Sequence, residues 1–488
     1  MIRDRFAPSP TGDVHIGSLR TALYNYLYAK KNGGAFLLRL EDTDRTRYQE
    51  GAVETLLNAL YTTGVIPDEG LVLENGTPAQ KGAFGPYIQS ERLPVYQNYI
   101  KTLLDSGDAY YCFCTKERLD ALREAQREAG ETPRYDGHCR DLSKEEIDAR
   151  IAAGEPYVIR LKLPADREIT FRDAVRGDVT INTDDLDDQV LIKADGFPTY
   201  HFAVVCDDHD MEITHVIRGE EWLPSTPKHV YLYERMNWQA PEYVHLPNIL
   251  NADHKKLSKR QGDVSVSDFF DKGYLPEALV NYLALLGSSP EGDREIFSLD
   301  ELVDAFDLSR VNKSGAVFDR DKLNWMNAQY IRAMQPEDLK EALRPFLKTA
   351  GIELDESRFD TAVPVLQERI EYLAQAPEII EEMLNADFLP ETDEEKEILA
   401  APQTPILRKA LIEKFTELDE FTPGTVQPVF KAIQKEYKAD KIKGKMLYMP
   451  ARIMITGEMH GPDLAAIIAF LGKEEVLRRL ERAESFAG

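Results

Sequence analysis

The stretch Arg3-Asp4-Arg5-Phe6-Ala7-Pro8-Ser9-Pro10-Thr11-Gly12-Asp13-Val14-His15-Ile16-Gly17-Ser18 decides the fold. Residues 3–7 read as a short strand, and residues 8–12 form a Pro/Gly loop that neither strand nor helix can continue through. From Ile16 onward, Leu19, Leu23, Tyr26 and Leu27 recur at helical spacing until Gly33-Gly34 stops the helix. A second strand follows over residues 35–41. Strand, loop, helix, strand is how a doubly wound parallel sheet begins. The loop also has chemistry. A turn that delivers His15 and Gly17 to a helix N-terminus makes an anion site, because unpaired amides and the helix dipole face the ligand. Gly17 lets a phosphate approach the backbone closely. For a His-x-Gly on its own, a capping or packed histidine is the better reading.

The pattern changes beyond residue 100. Residues 156–206 are strand-like, with alternation in Val158-Ile159-Arg160-Leu161-Lys162-Leu163. Asp195-Gly196 is a hairpin signal between Gln189-Val190-Leu191-Ile192-Lys193 and a returning strand Tyr200-His201-Phe202-Ala203. Residues 100–201 are therefore expected to be an insertion into the sheet, whose strands resume over 202–252. From residue 336 the signal is helical. Leu339, Leu343, Phe346 and Leu347 form one stripe; Val363, Leu366, Ile370 and Leu373 a second; Leu464, Ile467, Ile468 and Leu471 a third. The expected divisions are 1–99, 100–201, 202–252, 253–335 and 336–488.

The 488 residues exceed one hydrophobic core, and 43% hydrophobic with 30% charged residues is ordinary globular composition. No segment reads as a membrane span or targeting signal, and four cysteines are too few for a secreted disulfide framework. The expectation is a cytoplasmic protein. A formal charge of −26 argues against a polyanionic partner when taken as an average. Locally, Lys431, Lys435, Lys438, Lys441, Lys443, Lys445 and Arg452 face only Glu436 and Asp440 over residues 431–452. That cluster reads equally well as a nucleic-acid contact or as a solvated surface.

A second basic element, Lys256-Leu257-Ser258-Lys259-Arg260, lies about 240 residues after His15. Two lysines three apart on a loop suit charge stabilisation of a triphosphate. Together, His15-Ile16-Gly17-Ser18 and Lys256-Leu257-Ser258-Lys259-Arg260 resemble the paired signatures of class I aminoacyl-tRNA synthetases. Ser18 replaces a second histidine and can still donate a hydrogen bond; Leu257 replaces a methionine and conserves its volume. Residues 5–12, 38–45, 85–92, 216–222, 273–278 and 444–450 narrow the resemblance to bacterial-type glutamyl-tRNA synthetases and run through nearly the whole chain. The resemblance implies an α/β fold: a class I Rossmann-like parallel sheet, an inserted α+β acceptor-binding domain and an all-α C-terminal anticodon-binding region. Glutaminyl enzymes end in β-barrels instead, and glutamyl-queuosine enzymes lack the helical region.

The implied reaction joins L-glutamate to tRNA-Glu with ATP and Mg²⁺, in a monomer that activates glutamate only with tRNA bound; tRNA-Gln is an open second acceptor. Catalysis is expected from His15, Lys256 and Lys259. Pro10, His15, Gly17, Ser18, Glu221, Lys256 and Lys259 are expected to meet ATP. Glutamate carries two carboxylates and one ammonium, so its pocket needs two cations and one anion, and arginine's planar fork is the better carboxylate receptor. By resemblance Arg5 and Arg218 are the cations, Tyr200 adds a hydrogen bond, and Glu41 with Ser9 holds the ammonium. Val204 stands where some relatives have an asparagine. The alternative, that both arginines are structural ion-pair residues, needs the motifs to coincide by chance.

Cys112-Phe113-Cys114 and Cys139 suit a tetrahedral zinc. Relatives take the fourth ligand from a position matching Asp141 or one matching Tyr135. The expected set is Cys112, Cys114, Tyr135 and Cys139, against packed reduced thiols. Two other classes compete: a small-molecule nucleotidyltransferase, which has no use for a helical C-terminal region, and a non-catalytic tRNA-binding paralogue, which would have let the lysine loop or arginines decay.

Overall fold

The computed structural model describes residues 1–44, 46, 49–258 and 262–487. The chain divides into two compact units, Met1–Phe270 with Leu279–Asp319, and Asp271–Ala278 with Arg320–Gly488.

In the first unit, the strand Arg3–Phe6 pairs in parallel with Ala35–Leu38, setting Arg5 opposite Leu37. The strand Glu69–Glu74 extends this sheet in parallel, and Thr77–Lys81 closes its edge as an antiparallel hairpin. The intervening helix Ile16–Lys31 forms because Ile16, Leu19, Leu23 and Leu27 supply one fully buried stripe. On the other side of Arg3–Phe6 the chain returns: the Thr214 amide donates to the Arg3 carbonyl (2.8 Å). The strand His215–Gly219 follows and pairs in parallel with Glu242–Leu246. Two parallel strand pairs thus flank the same edge of the cleft described below.

The expected insertion contains its own antiparallel sheet of Ala109–Cys112, Val158–Leu161 and Val190–Ile192. One hairpin inside it, Glu168–Asp173 with Gly177–Asn182, instead joins the returning strands through Asp173 beside Tyr243. A further difference concerns residues 200–203. The Asp195-Gly196 turn is present, with Lys193 N donating to Phe197 O at 2.9 Å. The segment after it is the helix Tyr200–Asp210, not a strand. Phe202, Ala203, Val204, Val205 and Cys206 are all buried, so the run shows neither a period of two nor of 3.6, and pattern reading cannot decide it.

The second unit is helical from Arg320–Ala333 to Leu464–Arg482, with no strand among its described residues. The three expected stripes meet in one core: Leu339, Leu343, Leu366, Ile370 and Ile468 are fully buried there. Ile370 and Leu373 lie just past the helix Glu356–Arg369 rather than within it. Among the described residues, no helix is long and apolar enough to cross a membrane.

Candidate active site

The loop after the first strand is pinned by its own backbone. Glu41 N donates to Pro8 O (2.9 Å), and Gln49 N donates to Pro10 O (3.0 Å). Gly12 has φ +100°, and a side chain there would strike Gln49. The loop ends on His15, the N-cap of the helix Ile16–Lys31, whose Nδ1 accepts from Gly17 N at 2.9 Å. An accepting Nδ1 puts the ring proton on Nε2, so the histidine caps the helix and presents a donor as well. The capping reading is the one this geometry bears out. The amides of Ile16, Gly17, Ser18 and Leu19 all have acceptors of their own, on Val264 O, His15 Nδ1 and His15 O. This turn therefore offers a ligand the His15 ring and the helix dipole and no unpaired amide.

The lysine loop is held to this same turn. Leu257 is buried and its amide donates to Ile249 O (2.9 Å), while Lys256 is exposed. On the return, Ile16 N donates to Val264 O (2.9 Å) and Val266 N to Val14 O (2.8 Å). These bonds zip residues 264–266, a few residues beyond the lysine motif, onto 14–16. Lys259 and Arg260 lie outside the described residues. A cleft of about 810 Å³ opens between the two elements. Of the residues expected to meet ATP, His15, Gly17, Ser18, Glu221 and Lys256 line it. All five expected to meet glutamate, Arg5, Ser9, Glu41, Tyr200 and Arg218, line it too. Pro10 does not: it is buried beneath the loop, where its carbonyl fixes Gln49. Val204 packs among apolar side chains of the helix Tyr200–Asp210 and is absent from the cleft wall.

Under the cleft lies a buried charge network. Arg5 is held in a bidentate pair by Asp208, with Nε–Oδ1 at 2.9 Å and Nη2–Oδ2 at 3.2 Å. Asp208 also takes Arg39 Nη1 (2.8 Å), and Arg39 Nη2 reaches Glu41 (3.1 Å). Asp207 accepts from Arg92 Nε (2.7 Å), Gln89 Nε2 (2.8 Å) and the Tyr96 hydroxyl (2.9 Å). Burial raises the Asp208 carboxyl, but Arg5 and Arg39 outweigh it and hold the group below its usual range. For Glu41 burial wins over Arg39 and Arg5, and its carboxyl is pushed up to about 7. Arg39, Asp207 and Asp208 were not singled out from the sequence. Only the packed fold shows that Asp207 and Asp208, near the polar end of a run whose helix has no readable period, are buried against these arginines.

Residues 1–325 match the family model described as "tRNA synthetases class I (E and Q), catalytic domain". The chain belongs to this family. Residues 338–484 match a second model, "Anticodon binding domain". The "Glutamate--tRNA ligase" of Clostridioides difficile (strain 630) is 57% identical over 98% of each chain. That of Finegoldia magna is 53% identical over 99% of each. Among solved structures, a glutamate tRNA ligase from Elizabethkingia meningosepticum in complex with its amino acid is 37% identical. It superimposes with a TM-score of 0.86 over 100% of both chains. A glutamate-tRNA synthetase from Elizabethkingia anophelis gives 0.87 at 38% identity over 99% of both.

In this class I synthetase the expected thiols also meet. The Sγ atoms of Cys112, Cys114 and Cys139 all lie within 4.8 Å of one another, with Cys114 and Cys139 at 3.6 Å. A tetrahedral site with Zn–S of about 2.3 Å sets neighbouring sulfurs about 3.8 Å apart, so the spacing fits. The Tyr135 hydroxyl sits beside this cluster, 3.3 Å from Cys112 Sγ and 3.6 Å from Cys114 Sγ, and accepts from Cys139 N at 2.9 Å. His138 is exposed, and Asp141 faces Lys162 at 3.5 Å.

Proposed function

We propose that this chain activates L-glutamate with ATP and ligates it to the 3′ end of tRNA-Glu. The observation that carries this reading is one cleft holding two buried arginines and one buried carboxylate beside a histidine-capped helix N-terminus. That charge set is complementary to glutamate, and the helix dipole with the donor on the His15 ring favours a phosphate. Arg5 and Arg218 take the two carboxylates, Tyr200 adds a hydrogen bond, and Glu41 with Ser9 takes the ammonium. His15, Gly17, Ser18 and Glu221 hold ATP, which enters as its Mg²⁺ complex, and Lys256 and Lys259 stabilise the charge that develops on its phosphates. A glutamate carboxylate oxygen forms a bond to the α-phosphorus, and the bond to pyrophosphate breaks. The 2′-hydroxyl of the terminal adenosine then attacks the adenylate carbonyl, loses its proton and releases AMP. No covalent enzyme intermediate is needed: positioning and preorganised charge do the catalysis.

Residues 100–201 act as the acceptor-stem-binding insertion and 336–488 as the anticodon-binding region. Cys112, Cys114, Cys139 and Tyr135 hold a structural zinc, which cross-links the insertion and takes no part in the reaction. The protein works as a cytoplasmic monomer, where its four cysteines stay reduced and form no disulfide.

Charging of tRNA-Glu and tRNA-Gln transcripts with radiolabelled glutamate tests the reading. Wild type is expected to charge tRNA-Glu, and Lys256→Ala to lose about 10²-fold or more in kcat, the scale of one preorganised donor. Charging of tRNA-Gln as well would broaden the acceptor. No glutamate on either tRNA from folded protein supplied with ATP would move the reading to a non-catalytic tRNA-binding paralogue.

A further inference from the structure

The two cleft arginines are held in opposite ways. Arg5 is held by two hydrogen bonds to the Asp208 carboxylate, which it shares with Arg39. Arg218 is 5% exposed, and among the described residues every partner of its guanidinium is uncharged. Nη1 donates to the Tyr200 hydroxyl (3.0 Å) and Nη2 to Thr226 Oγ1 (2.8 Å). His229 Nδ1 lies 3.4 Å from both terminal nitrogens, and Nε donates to His245 Nε2 at 3.2 Å. A buried guanidinium with no contacting carboxylate is costly until an anion arrives, which is what a selective anion receptor requires.

What keeps that arrangement is one bond further out. His245 Nε2 can accept from Arg218 only if its proton sits on Nδ1. Asp173 Oδ2 lies 2.6 Å from His245 Nδ1 and takes that proton's hydrogen bond. The aspartate is itself fixed by the amides of His245 (3.0 Å), Val175 (2.9 Å) and Arg176 (2.8 Å). Asp173 and His245 come from two strand ends adjacent in the sheet, and both side chains are fully buried. Burial first, then Arg218, hold His245 below the usual imidazole range despite Asp173, so the ring stays neutral. Burial also presses His229 well below that range, and His201 behind it to about 4.

We infer that Asp173 and His245 form a positioning pair for Arg218, fixing the imidazole tautomer so that the guanidinium is aimed into the cleft by a neutral acceptor and keeps its charge for a substrate carboxylate. Neither residue touches substrate. The inference rests on the proposed function, in which Arg218 receives a glutamate carboxylate. A direct Asp–Arg pair would aim the fork equally well but would cancel the charge that separates glutamate from glutamine. Interposing a neutral imidazole keeps the aim and spares the charge.

Steady-state charging of tRNA-Glu tests this with His245→Leu, which deletes the acceptor, and His245→Gln, whose amide oxygen reaches the Nε2 position. Wild-type charging is measured first: its absence would sink the proposed function and this inference with it. Given wild-type charging, His245→Leu is expected to raise KM for glutamate about tenfold or more and leave KM for ATP within about twofold. It should also narrow the ratio of kcat/KM for glutamate over glutamine. His245→Gln should recover most of the glutamate KM. An unchanged glutamate KM in His245→Leu would overturn the inference, as would equal losses for ATP, or a glutamine variant as impaired as leucine. The last two outcomes are those of mere packing. Should His245→Leu not fold, Asp173→Asn carries the same test with the same readouts.

Discussion

Glu41 is buried beside Arg5 and Arg39, yet burial still pushes its carboxyl up to about 7 from an ordinary 4.5. Between those values the folded chain holds a proton that the unfolded chain has lost, so wild-type stability falls as pH rises through the window. Glu41→Gln removes that cost. Arg39 keeps Asp208 at 2.8 Å and Asp207 at 3.8 Å, so it is not left unpaired. The variant is expected to melt about 2 °C above wild type at pH 8, consistent with roughly 2 kcal/mol, with no advantage at pH 4.5. Its glutamate charging should fall by about 10²-fold, because the ammonium partner is gone. A variant that melts below wild type at pH 8 would show the carboxylate to be structural. At this scale, Arg5, Glu41, Tyr200 and Arg218 were legible because substrate charge dictates receptor type and short motifs carried them. Asp173, His245 and Asp208 were not, since each acts through another side chain and only the packed fold brings them together.

The sequence shows a Pro/Gly loop and a helical stripe after it plainly, because turn chemistry and a 3.6 period are local signals. It does not show that residues 264–266 zip onto 14–16, a long-range pairing of three residues with no pattern of its own. Nor does it show that Tyr200–Asp210 is a helix, since an apolar run buried on every side has no period to read. The thiol cluster lies between these cases: Cys-x-Cys is visible in the sequence and resemblance supplies Tyr135, while the return of the chain that lets the Tyr135 hydroxyl accept from Cys139 N at 2.9 Å is seen only in the fold. Cys112 ends the strand Ala109–Cys112, Cys114 follows two residues on, and Tyr135 and Cys139 return to them. A metal held there would cross-link the segment between that strand and Val158–Leu161. Metal analysis of chelator-free protein should return about one zinc per chain, and Cys139→Ser about none. Stripping the metal should expose residues 112–142 to protease while ATP binding persists. Wild-type protein with no zinc would leave the cysteines as packed thiols.

Across the whole molecule, a formal charge of −26 repels tRNA, so binding has to be local and oriented. Residues 338–484 match an anticodon-binding family, and within them Lys431, Lys435, Lys438 and Lys443 are all exposed. Among the described residues none of these four has a carboxylate within ion-pair distance, whereas neighbouring Lys445 faces Glu394 at 3.7 Å. A solvated surface and a phosphate-binding one look alike here, but they differ in their response to salt. Each phosphate contact adds about 0.7–0.9 to the slope of log affinity against log salt concentration. Replacing all four lysines by glutamine should therefore weaken tRNA-Glu binding and flatten that slope by about two to four. With saturating tRNA, the rate of glutamate transfer should stay within about twofold of wild type, because the cleft is untouched. An unchanged slope would mean that these lysines only solvate the surface. The acidic body would then have to be overcome by basic side chains elsewhere on the chain, and the helical region would hold tRNA by shape and stacking rather than by charge.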